Sequence, residues 1–354
     1  MSNRELSTER GRIQITGFDA DRVRNREKLS DWTEESGQET QSRWKRGWKR
    51  FKRNRSAMFG IAVVTLLSLL AFFARPVEVF GFAIQPFSLA PYNPTTILYL
   101  QPDAACGTDC IYHPPSSDYP MGTDGSGRDL FSRLLYGGRY SISIGFVVVA
   151  LTASFGMVYG GISGYYGGWV DEVMMRIIDT IYAFPGIVLA LIIVAIFGGG
   201  YWQLVLAFSL FGWAGYGRLI RGEVLKVKQN EYVLAAKALG ARDRSVIFKH
   251  IVPNAMPPVL VLASLNIGTV VIGVAALGFL GLGMDSGTAE WGTMLDATRE
   301  TLIQGPDGAI PWWATVYPGA AIFIFVMAMN MIGDGVNDAL DANETGVGQQ
   351  GGGG

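Results

Sequence analysis

Residues 140–163 read YSISIGFVVVALTASFGMVYGGIS, and no acidic or basic side chain interrupts them. At a rise of about 1.5 Å per residue, a helix of this length covers the roughly 30 Å hydrocarbon core of a bilayer. Five further stretches have the same character: Ala57–Ala74, Ile177–Phe197, Tyr201–Gly217, Asn254–Met284 and Ala309–Gly333. A buried core helix of a soluble protein would explain any one of them, but not six in a single chain. The expected fold class is therefore an all-α integral membrane protein with six transmembrane helices. Gly198-Gly199-Gly200 separates the third span from the fourth as a tight turn. Pro185, Pro257, Pro258 and Pro318 fall within apolar runs, where neighbouring helices satisfy the freed backbone groups.

Composition agrees. Of 354 residues, 49% are hydrophobic and 17% charged, against about a quarter charged in soluble domains. The first 56 residues are polar and contain no apolar core of a secretory signal, and no small-residue cleavage site follows Ala57–Ala74, so the first span is expected to be retained. Basic residues set the orientation. Arg43-Trp44-Lys45-Arg46-Gly47-Trp48-Lys49-Arg50-Phe51-Lys52-Arg53-Asn54-Arg55 precedes the first span without an acid, which places it on the cytoplasmic side. The loop from Arg75 to Arg139 then lies outside and carries Glu78, Asp103, Asp109, Asp118, Asp124 and Asp129. The loop from Arg218 to Pro253 lies inside with Arg218, Arg221, Lys226, Lys228, Lys237, Arg242, Arg244 and Lys249. Both termini are expected in the cytoplasm. The chain divides into a tail, disordered then basic (1–56), the first span with its outer loop (57–137), the main membrane domain (138–338) and a disordered C-terminal tail (339–354).

The inner loop is too large and too patterned to be a tether. Residues 231–250 read EYVLAAKALGARDRSVIFKH, with Ala235, Ala236, Leu239, Val246, Ile247 and, just beyond, Ile251 at helical spacing. Gly240 is placed to end one helix, and Asp243 and Ser245 to start the next. Two short amphipathic helices result, one side against the membrane domain and the other offering small residues to a partner. A helix that only anchors the loop at the interface is the competing reading.

At this point a resemblance becomes specific. Leu234-Ala235-Ala236, Gly240 and His250-Ile251-Val252-Pro253 resemble the EAA, three residues, Gly, nine residues, I-x-L-P motif of permeases in binding-protein-dependent ABC importers. Ala235, Ala236, Gly240 and Pro253 match. Leu234 stands for the motif's Glu, and His250 and Val252 for its Ile and Leu, while Glu231 lies one turn earlier. The resemblance implies an ABC type-1 importer membrane domain whose cytoplasmic coupling helices dock on ATP-binding subunits.

Residues 121–139, MGTDGSGRDLFSRLLYGGR, look like the G-T-D-x-x-G-R-D…SR…YG-x-R segment of dipeptide and oligopeptide permeases. The likeness continues through Met175-Arg176-Ile177-Ile178-Asp179, Phe184-Pro185, the run Leu277-Gly278-Phe279-Leu280-Gly281-Leu282-Gly283, and Gly333-Asp334 with Asp338. The basic lead-in is similar to that of the C-type subunit of such importers. Asn337 departs from the basic residue expected before Asp338. Read by chemistry, Gly122 and Gly127 permit left-handed turns. Asp124, Arg128 and Asp129 are expected to pair with one another as an exposed structural cap, worth about 0–1 kcal/mol, with Arg139 completing the motif. Asp179, at a helix end, calls for snorkelling or Arg176 as its partner.

Cys106 and Cys110 lie in the outer loop with His113 nearby. A disulfide ranks first, free thiols second and a metal site third. No Gly-Lys pair occurs, so the phosphate loop of an ATPase is missing, and no catalytic triad or zinc motif is present. No catalytic residue, metal or cofactor is expected, and no residue can be assigned to the substrate. The implied function is a non-catalytic permease for di- or oligopeptides working by alternating access. Its partners are a second homologous permease, two ATP-binding subunits, an extracytoplasmic binding protein and the bilayer, with no nucleic acid. Nickel or another small solute is the same-class alternative. An autonomous secondary transporter or channel, and a purely structural membrane scaffold, are the different-class ones.

Overall fold

The structure is a computed structural model that describes residues 43–79, 82–101, 105–107, 109–247, 251–285, 287–299, 301 and 310–341. Most of the 1–56 tail, nearly all of the 339–354 tail, and His250 lie outside the described residues. Helix α1 (Arg43–Phe51) is the basic lead-in, with Trp48 exposed.

Helix α2 (Arg55–Phe73) begins where Asn54 accepts the Ala57 N–H at 3.1 Å, and it stops at Ala74, two residues before Pro76. The outer loop that follows is not wholly irregular. It contains a short antiparallel ribbon, β1 (Val77–Val79) and β2 (Phe82–Gln85), so the molecule is mainly rather than purely helical. Helix α3 (Leu130–Tyr166) runs for 37 residues from an Asp129 cap to Gly167 at φ 68°. Helices α4 (Gly168–Tyr182) and α5 (Gly186–Phe197) meet at Pro185 with a bend of 79°. Then come α6 (Tyr201–Lys228), α7 (Glu231–Ala238), α8 (Asp243–Val246), α9 (Val252–Leu277), α10 (Trp291–Asp296) and α11 (Trp312–Asp341).

By length and composition four of the described helices can cross a membrane: α2, α3, α9 with its following turn, and α11. The bent pair α4–α5 makes up to five. The remaining expected span is α6, whose 28 residues are long enough but mix the apolar run with Gln203, Arg218 and Arg221. The third expected span is thus a pair of helices bent at Pro185 rather than one continuous helix. The Gly198–Gly200 turn falls where the spacing places it, with Gly198 at φ 82° and Gly200 at φ 135°.

Small residues set how closely the helices pack. Gly156, Gly160 and Gly164 form a stripe at intervals of four along α3, and it lies against α6. A Cβ at Gly160 would collide with the Gly217 carbonyl oxygen, and one at Gly164 would stand 2.9 Å from the Arg221 carbonyl oxygen. Gly60 of α2 and Gly335 of α11 play the same part where those helices cross. Large apolar side chains on the outer faces, among them Phe59, Leu66, Phe155, Val158 and Ile196, remain exposed. A soluble monomer would not carry so much; a bilayer or a partner subunit accommodates it.

Candidate functional site

The inner loop folds as two short helices. Helix α7 ends in a double-bonded turn: Ala241 N–H donates to Ala236 C=O at 3.0 Å, and Gly240 N–H to Lys237 C=O at 2.9 Å. That closure requires a left-handed residue, and Gly240 supplies it at φ 77°. Asp243 opens α8. The side turned to the core is built from Val233, Val246 and Ile251, all buried among Tyr165, Ile220, Val224 and Val227. Periodicity leaves open which side of α7 faces the core: Val233 takes the buried position, and Ala235 and Leu239 face away from it. Leu239 is 89% exposed, Leu234 53%, and Glu231, Ala235 and Gly240 share their face, with Ala236 at its edge. Pro253 sits exposed in the first turn of α9.

The outer block is organised around buried charge, not an exposed cap. The Asp124 carboxylate accepts Arg128 Nε at 2.9 Å and the backbone N–H groups of Ser126 and Arg128 at 2.9 and 3.0 Å. Arg133 Nε stands 3.2 Å from the same carboxylate, an ion-pair contact without hydrogen-bond geometry. Arg133 is only 1% exposed and also donates to the carbonyls of Pro94, Gly287 and Thr288. It therefore ties the outer loop to the segment after α9. Asp129 does not pair with Arg128; it caps α3 by accepting Ser132 N–H at 2.8 Å. Burial pushes its carboxyl above the usual aspartate range, against the lowering effect of that bond. Gly122 and Gly127 take φ of 73° and 69°. Arg139 turns back to α2, donating to the Ala71 and Phe72 carbonyls at 2.8 and 2.7 Å and to that of Arg75. It thus donates to carbonyls at and just beyond the end of α2, where few backbone donors follow.

With both ends of the molecule described, comparison with known proteins is decisive. The pattern of the binding-protein-dependent transport system inner membrane component family matches residues 156–345, and that of the N-terminal TM domain of oligopeptide transport permease C matches residues 42–115. The dipeptide transport system permease protein DppC of Alkalihalophilus pseudofirmus is 38% identical over 300 residues, covering 85% of this chain and 90% of that protein. The oligopeptide transport system permease protein OppC of Bacillus subtilis is 37% identical with the same coverage. The glutathione transport system permease protein GsiD of Pectobacterium atrosepticum is 37% identical over 84% of this chain and 90% of that protein. The chain belongs to the binding-protein-dependent transport permeases.

It is accordingly a multi-pass inner-membrane permease of the ABC class, a family that works with ATPases and binding proteins. Within this permease the two aspartates of α4 find partners on α6. Asp171 receives Arg221 Nε and a terminal guanidinium nitrogen at 3.0 and 2.6 Å. Asp179 pairs with Arg218 at 2.6 Å, both half exposed, and not with Arg176. Asp338 accepts Asn54 Nδ2 at 2.9 Å, joining α11 to the start of α2, while Asp334 is exposed. Cys106 and Cys110 are joined in a disulfide with Cα atoms 5.0 Å apart. His113 turns Nδ1 to the Pro114 carbonyl oxygen at 2.9 Å, and no metal-holding group of side chains occurs among the described residues.

Two groups escaped the sequence reading. Arg133 was visible only as part of a motif, with no signal of its burial. Glu290, 1% exposed, accepts Ser141 Oγ at 2.8 Å and the N–H groups of Gly292 and Thr293, so it ties α3 to the start of α10. Glu290 precedes Trp291 as a cap would, which is a legible cue; its partner Ser141 lies 149 residues away and is not.

Proposed function

We propose that this chain is one of two unlike permease subunits of an ATP-driven importer of di- and oligopeptides, forming half of the translocation path. Both termini lie in the cytoplasm. The α7–α8 loop is the joint to separate ATP-binding subunits, and a substrate-loaded binding protein delivers peptide at the opposite face. Nucleotide binds one conformation of the assembly more tightly and so shifts the population between inward-open and outward-open states. This subunit contributes no catalysis.

Leu239 carries the docking reading. It stands 89% exposed at the tip of a helix whose opposite side is anchored by Val233. Covering such a side chain gains about 1.5–3 kcal/mol, and Leu234 extends the same apolar face in place of the motif's carboxylate. The names of the relatives, dipeptide, oligopeptide and glutathione permeases, support peptides as the substrate class.

In vesicles, the lone chain is expected neither to hydrolyse ATP nor to move solute. Joined by a second permease, two ATPases and a binding protein, it is expected to take up labelled di- and tripeptides at the expense of ATP. Transport by the solitary chain down an ion gradient would sink this reading.

A further inference from the structure

Tyr165 stands one residue before the end of α3 and is 5% exposed. Its hydroxyl donates to the Asp243 carboxylate that opens α8. Its backbone carbonyl, one of the last-turn acceptors without a partner inside the helix, receives Lys228 Nζ from the end of α6 at 2.6 Å. The Lys237 ammonium of α7 lies 4.6 Å from the centre of its ring. Four elements, α3, α6, α7 and α8, thus converge on one side chain and its peptide group.

We propose that Tyr165 is the positioning residue that carries displacement of the α7–α8 loop into the membrane-spanning pair α3–α6. The proposal rests on that loop being the docking joint to the ATPases. Apolar contacts from Val233, Val246 and Ile251 also hold the loop, but such contacts are non-directional and permit sliding. The bonds at Tyr165 are directional and charge-assisted, so they fix where the loop stands relative to α3. Helix α3 then passes the displacement on. Its glycine stripe brings it against the backbone of α6 at Gly160 and close to it at Gly156 and Gly164. Its 37 residues measure about 55 Å, more than the bilayer core, and its far end carries the Asp129 cap and buried Arg133. A shift at Tyr165 therefore reaches the outer block through one rigid body.

The test uses the complete importer in vesicles and reads uptake of a mixture of labelled di- and tripeptides per ATP hydrolysed. Tyr165→Phe keeps the ring and removes only the hydroxyl. It is expected to lower that ratio at least fivefold while the subunits still assemble. Asp243→Ala is expected to cause the same loss, and the double variant no further loss. Asp243→Asn keeps an acceptor for the hydroxyl and is expected to stay within twofold of the parent. A ring that merely fills the core would leave the ratio unchanged in Tyr165→Phe, and that result overturns the proposal, as do losses that multiply in the double variant. Should Tyr165→Phe fail to assemble, the exposed Asp243 decides alone: an unchanged ratio in Asp243→Ala overturns it. A Leu239→Cys cross-link to the ATPase separates the two readings, since the native cysteines are bonded to each other. Without that cross-link the docking reading and this proposal both fall; with it, an unchanged ratio removes only the proposal.

Discussion

Arg133 shows how one buried cation can organise a loop. Its guanidinium meets Asp124 and three backbone carbonyls from two distant segments, with almost no exposure to water. Replacing it by Met strands the Pro94 and Thr288 carbonyls, while the Gly287 carbonyl keeps Arg128 and Asp124 keeps Arg128 and two backbone donors. The expected cost is about 3 kcal/mol, at the lower end for a broken buried pair, and a thermal melt of the purified permease measures it. Asp129 behaves differently. Its cap bond is favourable, but burial disfavours its charge and raises its pKa in the folded state. A carboxyl raised in this way binds its proton more tightly folded than unfolded, so stability falls as pH rises from about 4 through the raised value. Asp129→Asn retains an acceptor for the Ser132 N–H and removes the charge. The variant is expected to melt at or above the parent at pH 7, with the difference vanishing on acidification. A variant that melts lower at pH 7 would contradict this account.

Among the elements, the α3 stripe gives the sharpest contrast. Gly160→Ala places a methyl group against the backbone of α6, which cannot yield as a flexible side chain would; a loss of about 1–3 kcal/mol is expected. Gly161→Ala, one residue along, meets nothing within 4 Å and is expected to be neutral or slightly stabilising. Equal melting of the two variants would contradict close packing at the stripe. In the inner loop, Gly240→Val is opposed by the positive φ rather than by lack of space, since nothing stands near its Cβ. Strain of roughly 1–2 kcal/mol is expected to unwind the end of α7, lowering peptide uptake per ATP while membrane insertion is kept. The stripe's spacing of four was legible in the sequence. Which helix it faced was not, because a small-residue pattern carries no address.

At the scale of the molecule, outer block and inner loop are the two ends of one helical assembly. Helix α3 spans the distance between them, and the ion pairs from α4 to α6, Asp171–Arg221 and Asp179–Arg218, lie towards the inner end. Charges collected near helix ends leave the apolar middle of the spans free of them, as the hydrocarbon core requires.

Run length and basic-residue bias along the chain were enough for a membrane fold, because a bilayer imposes a one-dimensional requirement on any segment that crosses it. The Gly198–Gly200 turn and the helix-ending role of Gly240 were equally local, since the left-handed backbone belongs to single residues. Tertiary structure alone decided the rest. The break at Pro185 left the third span as a bent pair, where the apolar run promised one helix. The rotation of α7 turned Val233 inward and Leu239 outward, a choice made by the groove beneath it. Partners for Arg133, Asp179 and Tyr165 came from segments remote in sequence, for a charge or hydroxyl is satisfied by whichever group the fold brings within about 3 Å.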